Sequence, residues 1–526
     1  MACLPVHAIR AHAIGSLKRI LCDAGSLKNH YSIRINRYNH YTAPVQRRQA
    51  PNNPGLSPVS RQRKRGYGPH SENRVGCDTA RWRQMHWPCS EFGSLMEEGG
   101  IVQALDVKMV VDGTGAEPIG NQAVIIDAGQ FVGIVPSAEL HRTYPGIEVL
   151  DFGGSWLLPG FIDLHVHLRN PHDNDVPRLD QFRHRVGTPS ALAVLHGVRA
   201  AQRCLVAGFT TVRNMGGVEF TALDRAFEDG LLPGPRVLTS GMVLKTGGHT
   251  DRALPTTLPR HGTWSAWQTS DGVDEIRKRV RELIRAGASF IKMEASGGLY
   301  QSDVPGHSAD ELRSGIDEAH GLGVRVAVHA HSRTSILAAA KAGADTIEHG
   351  TFVDDECIEA MLRHGTAFVP TMSIMNDSIT RCIEWGCTEE MLEKERQLLG
   401  VRMEAVRKAH IAGVRVGLGT DSAGWLGRHG ANGAEFALLV EAGLHPLASI
   451  AAGTGIASAI LGMEDSIGTV TAGKGADFVT VTVDPVADVA SLADPSNIET
   501  VWKDGKLIVD RRESGESSLL IWDPSG

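Results

Sequence analysis

The chain has 526 residues, of which 42% are hydrophobic and 21% charged, with a formal net charge of −7. That length exceeds one small core and calls for at least two folding units. No run of about 18 apolar residues occurs, so the sequence offers no transmembrane helix.

Charge is spread unevenly. Residues 1–95 carry 15 Lys+Arg against 4 Asp+Glu, and the remainder 38 against 56. This first segment combines basic clusters such as RQRKRGYG (61–68) with APNNPGLSPVS (50–60) and shows no sustained helical or strand period. It is expected to be a low-complexity extension, disordered or non-native, with translation starting near Met96 as one account. It lacks the interleaved aromatics of single-strand nucleic-acid binders, so neither a nucleic-acid nor a membrane partner is expected. The eight cysteines show no CxxC pair or disulfide framework. They fit a reducing, cytoplasmic setting with free thiols, including Cys382 and Cys387.

Residues 96–157 (QALDVKMVVDGTG, QAVIIDAGQFVGIV) alternate apolar and polar positions between glycine turns, as a β-meander does. From 158 to 465 a unit repeats: a short apolar run, a polar loop and an amphipathic helix. The runs are FIDLHVHL (161–168), FTTVRNM (209–215), RVLTSG (236–241), FIKMEA (290–295), RVAVHA (325–330), TIEHG (346–350), AFVPTM (367–372) and VGLGTD (416–421). Eight such units predict an α/β fold, a (β/α)8 barrel. Residues 466–526 return to meander patterning. Neither flank can bury a sheet face alone, so the two are expected to pair as a small β-sandwich built from both chain ends.

Within FIDLHVHL, His165 and His167 share a strand face, because side chains alternate. Taken alone, the pair reads as buried core histidines or as metal ligands. The other strand ends bear on that choice. Lys292 lies on strand 4, His329 ends strand 5, His349 ends strand 6 and Asp421 ends strand 8. Barrel active sites lie at the C-terminal ends of the strands, and six such residues there argue against a mere core role.

HVH on strand 1, Lys on strand 4, His on strands 5 and 6 and GTD on strand 8 together resemble the amidohydrolase superfamily. VRVAVHAHS, TIEHGT and GLGTDSA point to its imidazolonepropionase-like and prolidase-like branch. The resemblance spans about residues 100–510. It implies a two-metal hydrolase in which His165 and His167 hold one ion, His329 and His349 the other, and Asp421 binds the first. Lys292 would carry a carbamate derived from carbon dioxide and bridge the pair. Imidazole and carboxylate ligands suit Zn2+ first, with Mn2+, Co2+ or Fe2+ open. Asp421 would act as general base, then general acid, while a metal-bridged hydroxide attacks the carbonyl.

The implied activity is cleavage of a C–N bond in a dipeptide, an N-acyl amino acid or a related amide. The alternative on the same site is a cyclic amide (imidazolone or lactam), a carbamate or an ester. Lys292 counts against a one-metal deaminase, and the six intact positions count against a scaffold without activity. Substrate-facing candidates are His249 (TGGHTD), Tyr300 (SGGLY), His331, His429 (GRHG) and Arg213 (TTVRN). Relatives often place Asp after that arginine; here Asn214 stands, which questions the usual ion pair on strand 2. Loops 168–190 and 250–270, the second with Arg252, Arg260, Trp264 and Trp267, are expected to cover the pocket. The expected partners are a small amide or short peptide and further copies of the chain in a homo-oligomer.

Overall fold

A computed structural model describes residues 103–168, 188–252, 268–382, 387–424, 427–512 and 518–519. The basic segment 1–95 and most of the two expected pocket loops, with Arg260, Trp264 and Trp267, lie outside the described residues.

Four strands open the described chain: β1 (Gln103–Val110), β2 (Ile119–Asp127), β3 (Gln130–Pro136) and β4 (Glu148–Pro159). Seven parallel strands follow: β5 (Phe161–Val166), β6 (Phe209–Asn214), β7 (Arg236–Met242), β8 (Phe290–Glu294), β9 (Val326–Ala330), β10 (Thr346–His349) and β11 (Ala367–Val369). The chain closes with β12 (Phe478–Val481), β13 (Ile498–Lys503), β14 (Lys506–Asp510) and β15 (Ser518–Leu519).

The parallel strands run in sequence order from β5 to β11. Their principal helices are α1 (Ser190–Val206), α2 (Thr221–Glu228), α3 (Val273–Arg285), α4 (Ala309–Gly321), α5 (Arg333–Ala342) and α6 (Asp355–His364). After β11 come α7 (Met372–Cys382) and α8 (Glu389–Ile411). Local chemistry sets the helix ends. Ser308 and Glu311 form a capping box at the start of α4, and Gly343 and Gly365 take left-handed conformations where α5 and α6 stop. Most strand residues are buried on both faces, as parallel strands lined by helices require.

The expected eighth strand is not a regular strand, yet it closes the barrel. Residues 415–422 run between β11 and β5. Phe368 N donates to Arg415 O at 2.8 Å and Gly417 N to Phe368 O at 2.9 Å. On the other side Leu164 N reaches Leu418 O at 2.9 Å and Asp421 N reaches His165 O at 2.7 Å. A Cβ at Gly417 would sit 2.4 Å from Leu164 Cδ1, and one at Gly419 2.4 Å from Val369 Cγ1. Only glycine lets the segment lie this close to both neighbours. That spacing is why GLGTD reads as it does.

The two flanks do pair. Strand β12 runs antiparallel to β4, with Phe478 opposite Pro159 and Val481 opposite Trp156. They form one eight-stranded sheet, ordered β15-β14-β13-β12-β4-β1-β2-β3, rather than a sandwich of two separate sheets. Twist curls this long sheet back on itself. Phe131 N of β3 bonds Lys474 O at 2.9 Å, just ahead of β12. The Phe131 ring lies 5.9 Å from Phe478, which in turn stacks on Trp502 at 5.2 Å. Arg236 ties barrel to sheet through Asp477 at 2.7 Å and Asp504 at 3.1 Å.

One cysteine expectation is corrected: Cys387 is disulfide-bonded, whereas Cys204 and Cys357 are buried free thiols. Spacing alone carries no record of which sulfurs the fold brings within bonding reach. Among the described residues no helix is long and apolar enough to cross a membrane.

Candidate metal centre

Strand alternation places the site residues. Lys292 and Glu294 share the face of β8 that meets Ala327 and His329 of β9, while Met293 packs outward against Gly315 of α4. The strand ends then deliver four imidazoles to one place. The His165 and His349 rings lie 5.0 Å apart, His329 and His349 4.6 Å, and His165 and His167 5.5 Å. Two overlapping triads each fit one cation: His165, His349 and Asp421, and His329, His331 and His349, with ligand atoms within 4.8 Å of one another. His167 stands beside the first, its Nε2 3.1 Å from Asp421 Oδ1.

Three residues at this rim hold positive φ without being glycine: His349 at 72°, Thr371 at 54° and Asp421 at 55°. Left-handed backbone is costly for side-chain-bearing residues and clusters where function over-determines geometry. Three of the rings are also held from behind. His165 donates from Nδ1 to Glu348 at 2.7 Å, which leaves its Nε2 3.6 Å from Asp421. His329 Nε2–H must donate to the Gly297 carbonyl at 3.0 Å, since a carbonyl can only accept, so Nδ1 keeps its lone pair. His349 Nδ1 meets Thr371 Oγ1 at 2.8 Å.

The electrostatics suit a cation. Burial, followed by neighbouring cationic groups, holds His329, His331 and His349 far below the ordinary imidazole range, so they are neutral donors. Burial alone would raise the Asp421 carboxyl, but His165 and His167 outweigh it and keep it well below the usual carboxylate range. Burial lowers Lys292 against the pull of Glu348 and Asp421. Its Nζ is buried and makes no hydrogen bond among the described residues. Glu294 does not pair with it; that carboxylate takes the Thr250 N–H at 3.2 Å and the Thr250 hydroxyl. Neutral imidazoles, an ionised aspartate and an unpartnered buried amine together fit a divalent-metal site, and the borderline donors fit zinc among others.

Of the expected substrate-facing residues, two join the cluster. The His249 ring stacks on His329 at 4.6 Å, and the His331 ring stacks on His349 at 4.9 Å. The others stand elsewhere. Tyr300 is 55% exposed and its hydroxyl meets Glu395 of α8, because the turn at Leu299–Gln301 carries it outward. His429 lies behind β5, with Nε2 bonded to His167 O at 3.0 Å and Nδ1 3.5 Å from Cys204 Sγ.

Arg213 points down the barrel, where it lines a cavity with Ser289, Gly323 and Arg325, residues that lead into β8 and β9. Its guanidinium is taken by Leu164 O at 2.5 Å, Thr346 Oγ1 at 3.3 Å and Glu348 at 2.7 Å. The pairing questioned by Asn214 is thus made across the barrel, to strand β10. Asn214 itself accepts from Leu168 N at 3.1 Å and Gly216 N at 3.0 Å.

Sequence reading missed the carboxylates beneath the site. Glu348 stands in TIEHG. Burial would raise it, yet Arg213 and His165 hold it down to about 2. Asp163, two residues before His165 on the same face, accepts from Thr420 Oγ1 at 2.6 Å and Asn432 Nδ2 at 2.7 Å, locking β5 to the closing segment. Alternation could have found Asp163. Nothing local marks Glu348, since its arginine lies 135 residues away.

Comparison with known proteins agrees with this geometry. The amidohydrolase family model matches residues 156–508. Ochratoxinase of Aspergillus niger is 30% identical over 418 residues, covering 76% of this chain and 85% of that protein. Its crystal structure superposes with a TM-score of 0.70 at 28% identity, over 80% of this chain and 98% of that one. A Xaa-Pro dipeptidase crystallised with methionine in its active site gives a TM-score of 0.66 at 27% identity, over 77% and 99%. Imidazolonepropionase of Symbiobacterium thermophilum is 26% identical over 412 residues, 73% of this chain and 88% of that protein. With a parallel barrel, a histidine-rich rim and a family match across both, the chain belongs to the amidohydrolase family and is a hydrolase acting on carbon–nitrogen bonds.

Proposed function

We propose that the protein hydrolyses the C–N bond of a dipeptide, an N-acyl amino acid or a related small amide. His165, His167, His329, His349 and Asp421 would hold two divalent ions, zinc first, with Lys292 as a carbamate. When bound, such ions supply Lewis acidity that lowers the pKa of water from about 15.7 towards 7 and polarises a carbonyl. The carbamate needs only a neutral amine and carbon dioxide: the new N–C bond forms and one proton leaves. Burial lowers the Lys292 pKa, which favours the neutral amine.

The observation that carries the reading is Asp421. Its carboxylate is ionised and reaches His167 at 3.1 Å. As water adds to the amide carbon, Asp421 takes the proton and returns it to the leaving nitrogen, so the two products are an acid and an amine. The names of the relatives, an ochratoxinase and a Xaa-Pro dipeptidase, support amide chemistry; the imidazolonepropionase keeps cyclic amides in the substrate panel.

The test pairs metal analysis with that panel. Purified with zinc and bicarbonate, the chain should hold about two ions and cleave members of a dipeptide and N-acyl amino acid library. Asp421→Asn should lower kcat by about 10²–10⁴-fold while the protein remains folded. One ion per chain, or an Asp421→Asn variant as active as wild type, would sink this mechanism.

A further inference from the structure

Arg402 on α8 is the largest fully buried side chain among the described residues, 1% exposed. Burial drives its pKa down to about 10, and among the described residues no carboxylate accepts a hydrogen bond from it. A buried guanidinium without an ion-pair partner is costly, so what it touches matters. Nε and Nη2 both donate to Thr351 Oγ1, at 3.2 and 2.6 Å. Nη1 donates to Pro370 O at 3.2 Å and Thr371 O at 3.1 Å, and lies 3.5 Å from Thr371 Oγ1. Its charge is thus spent on the two threonines that stand behind His331 and His349.

The two threonines are used differently. A hydroxyl oxygen has two lone pairs and one proton. Both lone pairs of Thr351 Oγ1 are taken by Arg402, so that hydroxyl can only donate, and His331 Nδ1 lies 2.9 Å away. A neutral imidazole has one acceptor and one donor nitrogen, so the His331 proton sits on Nε2. Thr371 Oγ1 receives only the long 3.5 Å contact, so it keeps a lone pair and can accept from His349 Nδ1 at 2.8 Å, an arrangement that leaves His349 Nε2 bare. The His331 ring, stacked on His349 at 4.9 Å and 12° from parallel, has no such freedom.

We propose that Arg402 and Thr351 are positioning residues that fix the proton of His331 on Nε2, so that His331 donates a hydrogen bond to the oxygen of the bound amide instead of lending a lone pair to a cation. The substrate half of this inference rests on the amide-hydrolase reading above; the tautomer rests on geometry alone. The triad of His329, His331 and His349 then contains two ligands and one donor. No bond to His331 forms or breaks. Its N–H gains strength as the carbonyl oxygen gains charge.

The test uses the full chain with His331→Gln, Thr351→Val and Thr351→Ser, since Arg402 variants risk unfolding. Metal content and the rate of metal loss to a chelator are measured beside kcat and KM. Both His331→Gln and Thr351→Val should match wild type in metal content and release. His331→Gln should lower kcat by about 10²–10³-fold. Thr351→Val should lower it by about 10–100-fold, and Thr351→Ser, which keeps the hydroxyl, should restore it. Faster metal loss from His331→Gln would make that residue a ligand and overturn the proposal. A Thr351→Val enzyme with wild-type kcat and KM would overturn it too. Should wild type cleave no amide, the hydrolase reading fails by itself, and unchanged metal release from His331→Gln still supports the donor tautomer.

Discussion

A single carboxylate, Glu348, joins the barrel floor to its rim: one oxygen takes Arg213 and the other takes His165, each at 2.7 Å. Replacing it by Gln removes the charge that Arg213 pairs with and sets an amide N–H against one of the two donors, which breaks a buried ion pair at a cost of about 3–5 kcal/mol. The pH dependence follows from the shift. The folded carboxyl is held at about 2 against an ordinary 4.5, so its stabilisation is full above 4.5 and is lost as pH falls towards 2. Urea unfolding of the metal-free chain should therefore show wild type and Glu348→Gln well separated at neutral pH and converging as pH falls below about 4. A constant gap across that range would show that the ionised pair is not what Gln removes. At this scale the sequence disclosed the residues that alternation puts on one face, such as His165 and His167. It hid Glu348 and Arg402, whose partners lie far along the chain.

Among the elements, the closing segment 415–422 carries the most information. Its backbone bonds to β11 and β5 hold Asp421 at the rim in a left-handed conformation. A Cβ at Gly419 would meet Val369 Cγ1 at 2.4 Å and His165 Cβ at 3.0 Å. Gly419→Ala should thus cost about 1–3 kcal/mol by overpacking and lower kcat as His165 and Asp421 separate. Thermal melting and kinetics on the same preparation check both effects, and a variant with wild-type melting and turnover would refute the close-packing account. The eight repeats were legible because each apolar run and each capped helix is written locally. The irregularity of the eighth was not, because it arises from how near β5 and β11 approach.

For the whole molecule, the two chain ends depend on each other. Among the described residues only β12 covers the outer edge of β4, and Phe478 fills the curl between Phe131 and Trp502. Phe478→Ala should cost about 3–5 kcal/mol. A chain ending before residue 476 should leave one edge of β4 open and aggregate, since an open edge is a template for pairing. Denaturant melts and light scattering read the two outcomes; a soluble, monodisperse truncation would show that the sheet survives without its C-terminal half.

The sequence by itself determined the barrel, the pairing of the flanks and the placement of six candidate ligands on its strands. Period, glycine punctuation and strand-end position are local properties, and together they are specific. Tertiary structure decided the rest. It curled the expected sandwich into one sheet, turned Arg213 away from the mouth and Tyr300 out to the surface, and set Arg402 behind Thr351. These outcomes depend on which distant groups a buried donor or acceptor can reach, and burial makes an unmet partner costly enough to choose among them.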